Sequence, residues 1–166
     1  MQFVLSLILL VGCSYLGYGL GHYYTLRHQF ITDLITFTNL LKVEISFLKD
    51  DLLKIIKEKT TQFSPSFKAV LKGYIKTIEE NEMVTMETLK KNISTSYLEN
   101  AEYHTLLQFF NGLGKTDAIS QVEALDKFLL FFYTYLKNAS KERQKYAGMF
   151  QKLGVLTGIF LVIVLL

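Results

Sequence analysis

Two kinds of apolar order run along this chain. From 117 to 166 there is no proline, and the apolar residues first keep a helical spacing and then become continuous. Ile119, Val122, Leu125, Leu129, Phe132 and Leu136 recur at steps of three and four, which predicts one stripe of an α-helix packed on protein. From Leu153 onward no charged side chain interrupts the run, which predicts a helix entering lipid. The uninterrupted part, 153–166, is only about 21 Å long at 1.5 Å per residue. Either Gly148, Met149 and Phe150 enter with it while Lys152 snorkels, or the helix lies short and tilted.

The other end has the same character. Residues 3–24 are apolar enough to cross a bilayer, which takes about 20 residues. A cleaved signal peptide is the alternative. Against it, no Lys or Arg precedes the run, no small-x-small cleavage site follows it, and it turns aromatic at His22, Tyr23 and Tyr24. The expectation is an uncut anchor with an interfacial tyrosine belt.

Between the two ends the pattern is helical throughout. Residues 25–53 lack proline and glycine and predict a helix continuing out of the membrane, with a seam of Phe30, Leu34, Phe37, Leu41, Glu44, Leu48 and Leu52. Pro65, the only proline, marks a turn at 60–66. A helix over 67–80 follows, with Val70, Leu71, Tyr74, Ile75 and Ile78 inward, then a break at 81–84 and a short helix over 85–93. Leu98, Tyr103, Leu106, Leu107 and Phe110 belong to a further helix that ends at Gly112 or Gly114, where glycine can close it in the left-handed conformation. Thr116 or Asp117 caps the last helix. Apolar and polar residues nowhere alternate as a strand requires. The predicted class is all-α: a membrane-anchored cytoplasmic bundle of five to six helices between two transmembrane helices, divided as 1–24, 25–147 and 148–166.

Charge placement sharpens this picture. All 18 Lys and Arg and all 15 Asp and Glu lie between Arg27 and Lys152, so two bare apolar ends enclose one charged centre. Arg27 flanks the first span, and Lys141, Arg143, Lys145 and Lys152 precede the second. Basic residues near span ends stay in the cytoplasm, so the centre is expected there with both termini outward. A net charge of +3, with bases interspersed among acids, makes no case for nucleic acid. The single cysteine, Cys13, forms no internal disulfide and in a span behaves as a small hydrophobe.

Candidate chemistry is sparse. Phosphate loops, zinc spacings and nucleophile elbows are absent, and His22, His28 and His104 are scattered. No catalysis, metal, cofactor or small-molecule substrate is expected. Gly17 with Gly21, and Gly154 with Gly158, place glycines four apart in each span, a spacing that lets helix backbones approach closely in lipid. Glu44 is an acid on an apolar seam, which calls either for a lysine partner or for an outside protein. Glu79, Glu80 and Glu82, with Lys90 and Lys91, read as solvated helix ends and as the expected electrostatic contacts of a soluble partner.

Three stretches resemble the stage III sporulation protein AB family, and the likeness covers nearly the whole chain. The first holds Tyr24, Arg27, Ile31, Leu34, Leu41 and the Glu44, Ile45, Phe47 group. The second holds Phe109, Leu113, Gly114, Asp117 and Gln121; the third is the Leu-Gly-x-x-x-Gly tail from Leu153 to Gly158. The chain departs from the family pattern at Asp51, where proline is common, and at Phe110, where glycine is expected. The resemblance implies a soluble part similar to the helical platform domain of type II secretion and type IV pilus systems. It implies a place in the channel between mother cell and forespore, in the mother-cell membrane. The implied partners are a secretion-type ATPase, stage III sporulation protein AA, and other membrane components. A rival reading, a small two-span pore subunit, has only Ser6, Ser14, Tyr15, Tyr18 and Thr157 to line a channel. A membrane-bound enzyme would need a paired acid and histidine, which the spacing does not offer.

Overall fold

Pro65, Gly114 and the non-helical stretch 82–85 punctuate the central sequence, and the helices form between them. The computed structural model describes the backbone of residues 2–47, 52–80, 82–92 and 97–165, with side chains in these segments except those of 2–7, 9, 46, 47, 92 and 165. The helices are α1 (Gln2–Phe47), α2 (Leu52–Lys59), α3 (Pro65–Glu79), α4 (Met86–Asn92), α5 (Asn100–Gly112), α6 (Ala118–Glu142) and α7 (Gly148–Leu165). A 3-10 turn, Thr60–Gln62, precedes α3, and a π-helical turn, Arg143–Ala147, lies between α6 and α7. The described residues contain no strand, so the all-α class holds.

Contacts divide the chain into two compact units, one made of Met1–His28 with Lys137–Leu166, the other of Gln29–Leu136. The central unit is built on the predicted seam of α1. Phe30, Leu34, Phe37 and Leu41 are buried, together with Ile31 and Ile35 beside them. Phe67, Leu71 and Tyr74 of α3, Tyr103, Leu106 and Phe109 of α5, and Leu125, Leu129 and Phe132 of α6 complete the core. Aromatic edges organise it: Phe37 meets Phe67 at 5.5 Å between ring centroids, and Phe109 meets Phe132 at 5.4 Å. Such tilted pairs add to area burial because a ring's positive edge faces the negative face of its neighbour. Phe110, where the family resemblance leads one to expect glycine, is buried against Tyr74 at 4.8 Å and so contributes to this core.

Several boundaries differ from the sequence expectation, each for a local reason. Pro65 lies at the first helical position of α3, so the helix begins two residues earlier than expected; there the missing N–H costs nothing. Leu98 lies before α5 and is nonetheless buried. That helix starts at Asn100 because Glu99 caps it reciprocally: the Glu99 backbone N–H donates to Glu102 Oε2 at 2.8 Å. Ile119, expected on the packed stripe of α6, is 76% exposed, and burial on that helix begins at Gln121 and Leu125. Leu48 on the α1 seam and Ile93 of the predicted 85–93 helix lie outside the described residues.

Candidate functional site

Within the unit formed by the chain ends, the backbones of α1 and α7 approach each other closely. A Cβ added at Gly17 would lie 2.6 Å from the Phe150 carbonyl oxygen and 2.9 Å from Gly154 Cα. One at Gly21 would meet the Ala147 oxygen at 2.7 Å, and one at Gly154 the Cys13 oxygen at 2.7 Å. Gly158 is next to Leu10, whose Cα would be 3.2 Å from an added carbon. All four glycines singled out in the sequence therefore lie along one line of contact. Gly12 and Gly19 on the same helix would meet nothing within 4 Å.

The outer faces of this pair are apolar, with Tyr15, Leu16, Leu20, Leu156, Phe160 and Ile163 exposed. One helix among the described residues, within Ala118–Val164, is long and apolar enough to cross a membrane. The expected first span, 3–24, is helical from Gln2, and the side chains of its first residues lie outside the described set. Below the glycines, Tyr24 packs on Tyr146 at 5.3 Å and on Phe150 at 6.1 Å. One turn further, Arg27 Nη1 donates to Glu142 Oε2 at 2.6 Å, with the Arg27 side chain 5% exposed. Arg143 Nη1 faces His28 Nδ1 at 3.4 Å. Burial, and then the Arg143 guanidinium, hold the His28 imidazole below its ordinary pKa.

The charged candidates of the central unit are mostly engaged. Glu44 is paired with Lys59 of α2 at 3.2 Å, while Lys42 reaches Asp126 of α6 at 2.5 Å. Glu79 is bridged by Lys57 at 2.5 Å and Glu80 by Lys76, one turn earlier on α3, at 3.7 Å. Lys90 lies over the Tyr103 ring, 5.7 Å from its centroid. Glu82 and Lys91 are exposed. Asn111, unremarked in the sequence, donates to the Val84 carbonyl at 2.9 Å and accepts its N–H at 3.2 Å, fixing the segment that carries Glu82.

The family-like stretch around Gly114 is a single piece of machinery. Gly114 takes φ +75°, where side chains are strained, and its N–H donates to Gln121 Oε1 at 3.0 Å. Asp117 caps α6 by accepting the Ser120 N–H at 3.1 Å and its hydroxyl at 2.8 Å. The backbone bond from Ser120, then the hydroxyl, hold the Asp117 carboxyl below its usual range. Gln121 is buried, so a polar side chain on an otherwise apolar stripe closes the turn that reverses the chain from α5 to α6. Among the described residues no group of three or more His, Cys, Asp or Glu is placed to hold a metal ion.

An all-helical protein with an aromatic-cored central unit, whose chain ends pair through glycines beside an apolar helix, is the class these observations define. The chain belongs to the stage III sporulation protein AB family, whose model matches residues 2–166. It is 26% identical over 165 residues to Stage III sporulation protein AB of Bacillus subtilis (strain 168), covering 97% of this chain and 96% of that protein. No solved structure matches it. It is thus a sporulation protein, and the family's description names no catalytic activity.

Proposed function

We propose that the chain is a non-catalytic membrane platform of the channel complex between mother cell and forespore, coupling a secretion-type ATPase to membrane components. The observation that carries this reading is the glycine line, where α1 and α7 approach until a Cβ at Gly17 would stand 2.6 Å from a carbonyl oxygen. Close backbone packing of this kind is the way two helices associate in lipid, where no hydrophobic force draws them together. In this reading α1 and α7 span the mother-cell membrane, both termini face outward, and the bundle over 25–147 stands in the cytoplasm.

The bundle then offers charged helix ends to its partner. Glu79, Glu80, Glu82, Lys90 and Lys91 are all exposed, with Glu79 and Glu80 already bridged by lysines, whereas Glu44 is less exposed, is paired with Lys59 and serves helix register first. Capture of the ATPase, stage III sporulation protein AA, by the full chain in detergent tests the coupling. Binding is expected at micromolar concentration, weakened by Glu82→Lys and Lys91→Glu together, because rim charges steer association. Absence of binding at tens of micromolar, with the helical content unchanged, would remove the coupling role.

A further inference from the structure

The π-helical turn Arg143–Ala147 carries one residue more per turn than an α-helix, a local widening that helices frequently place at functional positions. Beside it is a hollow of about 370 Å³ lined by His28, Ser140, Arg143, Gln144 and Ala147. The lining contains a guanidinium, a hydroxyl, a carboxamide and an imidazole, and no acid. The nearest carboxylate in sequence, Glu142, is turned to Arg27 at 2.6 Å. Arg143 is instead directed at His28 Nδ1, so its charge meets no carboxylate among the described residues.

Position narrows the ligand. Tyr146, at the level of the hollow, and Phe150, one turn beyond it, both pack on Tyr24, and beyond Lys152 no charged side chain follows on the helix. Lys145 lies over the Tyr146 ring at 4.9 Å, adding positive charge at the same level. Arginine's planar fork suits the two free oxygens of a phosphate, and rings of this kind mark headgroup depth in a bilayer. We propose that this hollow binds a phosphate group, with the headgroup of an anionic phospholipid as the source its position favours. Bound there, the phosphate neutralises Arg143 and links the two helix ends of the unit. The inference rests on the membrane-anchored reading of α1 and α7.

Native mass spectrometry of the full chain, released from mixed micelles of phosphatidylglycerol and phosphatidylcholine, reads the site directly. One phosphatidylglycerol per chain is expected to survive, with retention falling about tenfold in Arg143→Ala, the loss of one charge-assisted bond. Gln144→Leu, which leaves the charge in place, is expected to weaken retention by a smaller factor. Lys141→Ala removes an equal charge outside the hollow and is expected to leave retention nearly unchanged. Equal losses in Arg143→Ala and Lys141→Ala, or no preference for phosphatidylglycerol, overturn the site. Displacement of the lipid by millimolar inorganic phosphate assigns free phosphate to the same site, and persistence of the lipid assigns the headgroup. Alkaline washing of vesicles separates the two readings. A chain that washes off loses the membrane anchor itself, and one that stays without lipid preference loses only the hollow.

Discussion

At the scale of single residues, Gly17 and Gly19 form a natural experiment two positions apart. A methyl group at Gly17 would stand 2.9 Å from Gly154 Cα, while one at Gly19 would meet nothing within 4 Å. Gly17→Ala is therefore expected to lower the melting temperature in detergent. Gly19→Ala should leave it unchanged or raise it slightly, since alanine favours a helix over glycine by about 0.5–1 kcal/mol. Equal shifts in the two variants would contradict the backbone contact. Arg27 gives a second test, because its side chain is 5% exposed and Glu142, at 32%, is its carboxylate partner. Removing the guanidinium takes its partner from the half-buried Glu142 carboxylate, so Arg27→Ala is expected to cost about 2 kcal/mol in chemical denaturation. Arg27→Met combined with Glu142→Leu should recover most of it. The sequence showed Arg27 as a flank to a span and offered nothing to identify Glu142 as its partner, for the two are 115 positions apart.

At the scale of elements, the turn between α5 and α6 shows how a motif becomes legible only when its parts meet. Glycine at the helix end and Asp117 as a cap were both readable from residue type. Gln121 was readable only as a family-like residue, because its work is to accept the Gly114 N–H from seven positions away. Gly114→Ala places a side chain at φ +75° and is expected to destabilise by about 1 kcal/mol. Asp117 titrates with a lowered pKa in the folded chain, so its contribution is complete above the ordinary carboxyl range and is lost as pH falls through the folded value. Asp117→Asn, which keeps the capping oxygen, is expected to flatten the fall of thermal stability below about pH 4. An unchanged acid limb would count against the cap. The long seam of α1 was visible in spacing alone, since Phe30, Phe37 and Leu41 are all buried. Ile119 was misplaced because periodicity marks a helix face without saying where a neighbouring helix covers it. The π-helical turn left no mark in the spacing at all; nothing in Arg143 to Ala147 distinguishes it from α-helix by composition.

At the scale of the whole molecule, the confinement of every charge between Arg27 and Lys152 is what the membrane reading answers to. Two glycine-paired helices in lipid, with the charged unit on the cytoplasmic side, form the central claim. Cysteine accessibility tests it most directly. With Cys13 replaced by alanine, single cysteines at Gln2→Cys and Lys91→Cys are exposed to a membrane-impermeant maleimide in right-side-out and in inverted vesicles. Lys91→Cys is expected to react in inverted vesicles alone and Gln2→Cys in right-side-out vesicles alone. Reaction of Lys91→Cys in sealed right-side-out vesicles would contradict the account.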